Sequence, residues 1–158
     1  MNVVLLEPEI HWNTGNIGRT CLGLGATLHL VEPLGFSLDA KEVKRAGLDY
    51  WDRVDLRVHK GWGALVMAIP AGAPMIFFSA EARQDFWEAP YEPGCVLVFG
   101  KESTGLPADM RKRHADSLYR IPHSSGIRSL NLSTAAGIVM YEAARQMRVT
   151  PRRATAGL

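Results

Sequence analysis

Leu97-Val98-Phe99-Gly100-Lys101-Glu102-Ser103-Thr104-Gly105-Leu106-Pro107 is the stretch that decides how this chain folds. The β-branched and aromatic run Val96 to Phe99, bounded by Gly94 and Gly100, predicts a short buried strand. Gly100 ends it, because glycine admits backbone angles or a close approach that a Cβ forbids. Gly105-Leu106-Pro107 then turns the chain into a helix with Pro107 in its first turn. Leu118 to Ile121 repeats the pattern and is stopped by Pro122. Ligands of open α/β sheets collect beyond the carboxyl ends of the strands. Residues 100–106 and 122–130 are therefore the expected walls of a pocket, with two ordinary surface loops as the alternative.

On either side of this stretch, strand-like and helix-like segments alternate. Strands are predicted at 2–6, 27–31, 53–58, 75–79, 95–99 and 118–121, and helices at 14–24, near 39–46, and at 61–69, 107–113 and 131–147. Such alternation predicts an α/β fold, a mainly parallel sheet with helices on both faces. The last helix places Ala135, Ile138, Val139, Glu142 and Gln146 at helical spacing among small residues, which suits close packing inside the domain or across subunits. A length of 158 residues with 47% apolar and 22% charged side chains fits one domain, 1–150, followed by a basic tail, 151–158. Residues 61–80 carry no charge and match a membrane span in length, but Pro70, Gly72 and Pro74 divide them into helix, turn and strand. Met1-Asn2 runs straight into Val3-Val4-Leu5-Leu6 without a basic, apolar and small leader, so a cytoplasmic protein is expected.

The formal charge of +2 is too small to name a partner. Its distribution says more. Arg145, Arg148, Arg152 and Arg153 crowd the end of the chain, and Arg111-Lys112-Arg113-His114 forms a second cluster, both suited to tracking phosphates. Cys21 and Cys95 stand in apolar surroundings without ligand spacing and read as buried free thiols. His11, His29, His59, His114 and His123 match no catalytic or metal spacing, and Trp12, Trp51, Trp62 and Trp87 default to core or interface packing. Ser103, Ser124, Ser125 and Ser129 lack a nucleophile elbow. Gly15, Gly18, Gly23 and Gly25 fail the dinucleotide fingerprint on spacing, and Gly100-Lys101 lacks a phosphate-cradling loop. In Asn13-Thr14-Gly15-Asn16-Ile17-Gly18-Arg19-Thr20 the Asn and Thr are good helix caps. Free N–H groups at that helix start, with Arg19 near, would bind an anion such as a nucleic-acid phosphate.

Taken in order, Asn13-Thr14-Gly15-Asn16-Ile17-Gly18-Arg19, Phe99-Gly100-x-Glu102-x-x-Gly105-Leu106 and Ser129-Leu130-Asn131-Leu132-Ser133 resemble the three motifs of the SPOUT RNA methyltransferases. The length, Glu7-Pro8-Glu9-Ile10, Glu32-Pro33-Leu34-Gly35-Phe36 and Arg45-Ala46-Gly47-Leu48-Asp49-Tyr50 look most like the minimal members that methylate the ribose of the tRNA wobble nucleotide. The resemblance implies a deep C-terminal trefoil knot, a topology that general chain rules would have excluded. It also implies S-adenosylmethionine as methyl donor, no metal, and cofactor contacts from Phe78, Gly100, Ile121 and Ser129, with Glu102 and Leu130 behind them. A homodimer through the first and last helices would bring Arg19 to the pocket of the other subunit. Arg19 and Asn131 are the implied catalytic residues, with Asn16 supporting Arg19.

A guanidinium has no acceptor lone pair. Arg19 is therefore read as a clamp on the neighbouring phosphate and a stabiliser of the developing alkoxide, with phosphate or solvent taking the proton. Arg19, Arg128, Arg145, Arg148, Arg152 and Arg153 would contact the tRNA anticodon arm. The implied target is nucleotide 34, cytidine or a modified uridine, of leucine tRNA. Two rivals remain, a ribosomal-RNA 2′-O-methyltransferase of the same family and a non-catalytic RNA-binding protein of the same fold. Pro122-His123-Ser124-Ser125-Gly126-Ile127-Arg128 departs from the family in being richer in Ser and Gly.

Overall fold

A computed structural model describes residues 1–39 and 49–148. The predicted helix near 39–46, the tail 151–158, and Arg152 and Arg153 with it, lie outside the described residues. The chain forms β1 (Asn2–Leu6), α1 (His11–Leu24), β2 (Thr27–Val31), β3 (Leu56–His59), α2 (Trp62–Ala68), β4 (Met75–Phe78), β5 (Gln84–Asp85), β6 (Val96–Phe99), α3 (Ala108–Arg113), β7 (Leu118–Arg120) and α4 (Leu132–Gln146). Seven strands make one sheet in the order β3-β2-β1-β6-β4-β7-β5. Every strand pairing is parallel, as the alternation of elements requires.

The central strand β1 shows why the sheet is covered twice. Val3 and Leu5 face one core with Ile17 and Cys21 of α1 and Val139 and Met140 of α4. Val4 and Leu6 face the other, with Leu65 of α2 and Met110 of α3. Burying each such side chain contributes about 1.5–3 kcal/mol. Both cysteines are buried and free. His29 and His59 pair inside the sheet, Nδ1 to Nε2 at 2.9 Å. Burial first, and then the charges of His59 and Arg57, push His29 down to about 4. Among the described residues no helix is long and apolar enough to cross a membrane.

Several boundaries differ from the sequence reading. Helix α1 begins at His11 with Ile10 as its N-cap, so Asn13 and Thr14 lie buried in its first turns and do not cap it. Pro107 precedes α3 as its N-cap, its carbonyl accepting from the Arg111 N–H at 3.0 Å. Strand β3 starts at Leu56 because Trp51–Arg53 form a 3-10 turn. The two-residue β5 has no apolar pattern to announce it. On α4 the buried stripe is Ala136, Val139, Met140, Ala143 and Ala144, while Ile138 is exposed. The helix is thus rotated from the predicted face, so that alanines lie against the sheet and α1.

Candidate functional site

Because all strands run the same way, the loops after β1, β4, β6 and β7 gather at one end of the sheet. They enclose a cavity of about 520 Å³. Its floor is aromatic: Phe78 and Phe99, partners in the β4–β6 register, stack with centroids 4.9 Å apart at 16°. Apolar Ile10, Ile121 and Leu130 and the main chain of residues 100–105 and 129–131 complete the lining. Gly100 is required here by the chain itself. A Cβ at that position would stand 2.1 Å from the carbonyl carbon of Gly105, where the loop folds back and the Gly105 N–H bonds the Lys101 carbonyl at 2.8 Å.

This loop is fastened to the β1–α1 loop by a reciprocal pair of carboxylates. Glu102 accepts from the N–H groups of Glu9 (2.8 Å) and Ile10 (3.2 Å) and from Asn13 Nδ2 (3.1 Å). In return Glu9 accepts from the Ser103 N–H at 2.8 Å and its hydroxyl at 2.9 Å. Lys101 pairs with Glu7 at 2.7 Å. The backbone and hydroxyl bonds from Ser103, helped by Lys101, hold the Glu9 carboxyl below its ordinary value, and Glu7 raises Lys101. Bonds to charged partners are the stronger kind. Asn13 extends the fastening: its Oδ1 accepts from Asn131 Nδ2 at 3.1 Å. The Asn131 Oδ1 in turn caps α4, accepting from Ser133 N–H (2.9 Å), the Ser133 hydroxyl (2.7 Å) and Thr134 N–H (3.3 Å). One hydrogen-bonded chain therefore joins all three segments singled out in the sequence.

The structure brings Phe78, Gly100, Glu102, Ile121, Arg128, Ser129, Leu130 and Asn131 to the cavity. Arg19, Asn16, Arg145 and Arg148 are not part of its lining. Arg19 is exposed, eight residues and about 12 Å along α1 from its start. Its guanidinium lies 4.5 Å over the ring of Tyr50, whose hydroxyl donates to the Gly15 carbonyl at 2.7 Å. The expected anion site at the helix start does not form. Glu102 already supplies negative charge there, and the guanidinium is too far away.

Tyr50, instead of Asn16, carries Arg19, since among the described residues no hydrogen bond joins that pair. Arg145 is held by Glu142 through two bonds of 2.8 Å, and Arg148 follows α4 with φ of 55°. In the second basic cluster Arg111 pairs with Glu81, Arg113 reaches Asp109 at the exposed surface, and His114 stacks on Phe77 at 4.1 Å. Glu9, Ser103 and His123 were given no site role in the sequence, and Asn13, though it opens the first motif, was read as a helix cap. Glu9 lies four residues before that motif, which was the signal available for it. Among the described residues no three His, Cys, Asp or Glu side chains gather as a metal site would require.

Residues 1–141 match the SpoU rRNA Methylase family, and the chain belongs to it. Within that family it is 46% identical over 147 residues to the tRNA (cytidine(34)-2'-O)-methyltransferase of Burkholderia ambifaria, covering 92% of this chain and 94% of that protein. A solved structure described as giving structural insights into the 2-OH methylation of C/U34 on tRNA superposes with a TM-score of 0.85 at 46% identity, over 92% of this chain and 94% of that one. An AdoMet-bound rRNA methyltransferase from Sinorhizobium meliloti superposes with a TM-score of 0.79 at 28% identity, over 92% of this chain and 56% of that one.

Proposed function

We propose that this chain transfers a methyl group from S-adenosylmethionine to the ribose 2′-oxygen of wobble nucleotide 34 in tRNA, cytidine or a modified uridine, with leucine tRNA as the expected substrate. The reading is carried by the hydrogen-bonded chain Glu102–Asn13–Asn131, which locks three family motifs around one cavity. The names of the B. ambifaria relative and of the C/U34 neighbour support the target. A tRNA substrate supports the expectation of a cytoplasmic protein.

The cavity fits such a donor. Its volume of about 520 Å³ lies within the roughly 300–1,000 Å³ of ligand sites. Stacked aromatics offer an apolar surface, and main-chain groups at two strand ends offer hydrogen bonds. Phe78, Gly100, Ile121 and Ser129 would hold the molecule, which when bound supplies an already activated methyl on its sulfonium. The neighbour bound to AdoMet supports this assignment. Asn131 acts as a positioning residue, because its amide is committed to the α4 cap and to Asn13.

Arg19 works in the cavity of a second copy, clamping the phosphate beside the target ribose and stabilising the alkoxide. A homodimer is supported by the exposed apolar residues of the helices that would form it: Trp12 on α1 (61% exposed) and Ile138 and Tyr141 on α4 (38% and 57%). Arg128, Arg145 and Arg148, with Arg152 and Arg153 beyond the described residues, hold the anticodon arm. The family resemblance adds the trefoil knot. Its support is the strand order, in which β6 enters between β1 and β4 and β7 lies beyond β4 before α4 returns to α1.

Two measurements test the reading. Tritium-methyl transfer to tRNA from a strain lacking this gene, mapped by mass spectrometry, should place the label on the ribose of nucleotide 34; label confined to ribosomal RNA would redirect it. Arg19→Ala should lower turnover by about 100-fold or more with S-adenosylhomocysteine affinity within about twofold by calorimetry, because its assigned contacts are to the RNA phosphate and the alkoxide and not to the donor.

A further inference from the structure

Methylating a hydroxyl requires that its proton go somewhere; Arg19 cannot take it, having no lone pair, and the phosphate or solvent read above as its acceptor has a competitor in the cavity wall. The cavity lining holds five charged or titratable side chains besides one histidine: Glu81, Lys101, Glu102, Arg111 and Arg128. Two of these are carboxylates. Glu102 already accepts three hydrogen bonds, two from backbone N–H and one from Asn13. Glu81 is paired with Arg111. Lys101, raised by its bond to Glu7, and the two arginines are cations without an acceptor.

His123 is different. It stands two residues beyond Ile121, at the exposed mouth of the cavity. Its Nδ1 lies 3.0 Å from the Ser124 carbonyl. A carbonyl only accepts, so Nδ1 carries the hydrogen, and in the neutral ring Nε2 is left with a free lone pair.

The geometry points to His123 as a further catalytic residue, whose Nε2 accepts the proton of the attacking ribose hydroxyl. This rests on the methyl-transfer reading above. As the 2′-oxygen bonds the methyl carbon and the carbon–sulfur bond breaks, its electron pair staying on sulfur, the O–H proton passes to Nε2. The imidazolium then releases it to solvent.

The test compares wild type with His123→Ala and His123→Gln on tRNA, together with calorimetry of S-adenosylhomocysteine and nitrogen-15 NMR of the imidazoles. Expected are a loss in kcat of about 100-fold or more, a tRNA KM and S-adenosylhomocysteine affinity within about threefold, and partial rescue of His123→Ala by added imidazole. Unaltered S-adenosylhomocysteine binding certifies an assembled cavity. NMR of the tRNA-free protein at alkaline pH should show the Nδ1–H tautomer for His123. Wild-type kcat in His123→Ala, or an Nε2–H tautomer, overturns the assignment alone. A wild-type protein that binds S-adenosylhomocysteine but methylates no tRNA overturns the functional reading and this assignment with it.

Discussion

The two long walls of the cavity are built on opposite principles. The wall after β6, residues 100–105, is fastened to the β1–α1 loop through Glu9, Glu102 and Lys101, all with charge-assisted bonds. The wall after β7 has residues 122–129 all exposed, and among the described residues the hydrogen bond within it is the local one from His123 to Ser124. A fastened wall is preorganised and loses little entropy when a ligand settles against it. An unfastened wall orders only when something binds, which suits the side that meets a large polyanion carrying its own contacts. On the function proposed above, the exposed span 122–128 would meet the nucleic acid, while the donor would rest on the fastened wall and on Ile121 and Ser129 at the two ends of that span.

The sharpest way to break this contrast is one glycine from each wall. Gly100→Ala would press a methyl into the Gly105 backbone at 2.1 Å, where no flexible side chain can yield. A loss of about 3 kcal/mol or more is expected in urea unfolding. Gly126→Ala meets nothing closer than the Ser124 Oγ at 3.6 Å, so its stability should stay within about 0.5 kcal/mol of wild type. Comparable losses at both sites would mean the walls are equally constrained.

Next in size is Glu102→Ala, expected to cost about 2–3 kcal/mol because the Asn13 amide, 2% exposed, loses its acceptor. Arg128→Ala on the other wall should leave the melting temperature unchanged. Its effect should appear as a raised tRNA KM, with a shallower salt dependence of binding. A stability loss at Arg128, or none at Glu102, would reverse the assignment of roles.

How far the sequence showed this division depends on what kind of signal each part leaves. The strands are contiguous apolar runs, so β1, β2, β4 and β6 lie within a residue or so of their predicted bounds. The pocket position follows from where those runs stop, and the lining contains Gly100, Ile121 and Ser129 as expected. The fastening joins Glu9 to Ser103 across 94 positions and Asn131 to Asn13 across 118. Local pattern carries no trace of such pairs. Asn13 was misread for the same reason: its type suits a cap, but a half-buried partner 89 residues away draws it inside the helix. The rotation of α4 was hidden because alanine is equally at home on either face.

Asn131→Ala removes the cap of α4 and the bond to Asn13 together. A loss of about 1 kcal/mol is expected, typical of a capping residue. Asn131→Asp, which keeps the accepting oxygen for Ser133 and Thr134 but cannot donate to Asn13, separates the two contributions. If the fastening reaches α4, the Asp variant should recover the cap yet leave the wall looser in hydrogen exchange at Glu9 and Ser103. Full recovery of both would end the fastening at Asn13.

The smallest expected effect is in acid, and it isolates Glu9. Its carboxyl is held below the ordinary 4.5 by the Ser103 N–H, then the Ser103 hydroxyl, with Lys101 adding to them. A folded value below the unfolded one means that the contribution is complete above about 4.5 and fades as pH falls through the lower, folded value. Protection of the Ser103 amide, corrected for intrinsic exchange, should therefore be flat from pH 7 to 5 and drop only in stronger acid. Glu9→Gln should abolish the step, since an uncharged amide does not titrate. Amides of residues 124–129 serve as the internal comparison and should be unprotected at every pH, because nothing fastens them. Were Ser103 to lose protection already between pH 7 and 5, the carboxylate would not be what closes this wall, and the contrast between the two sides would have to rest on Gly100 and Glu102 alone.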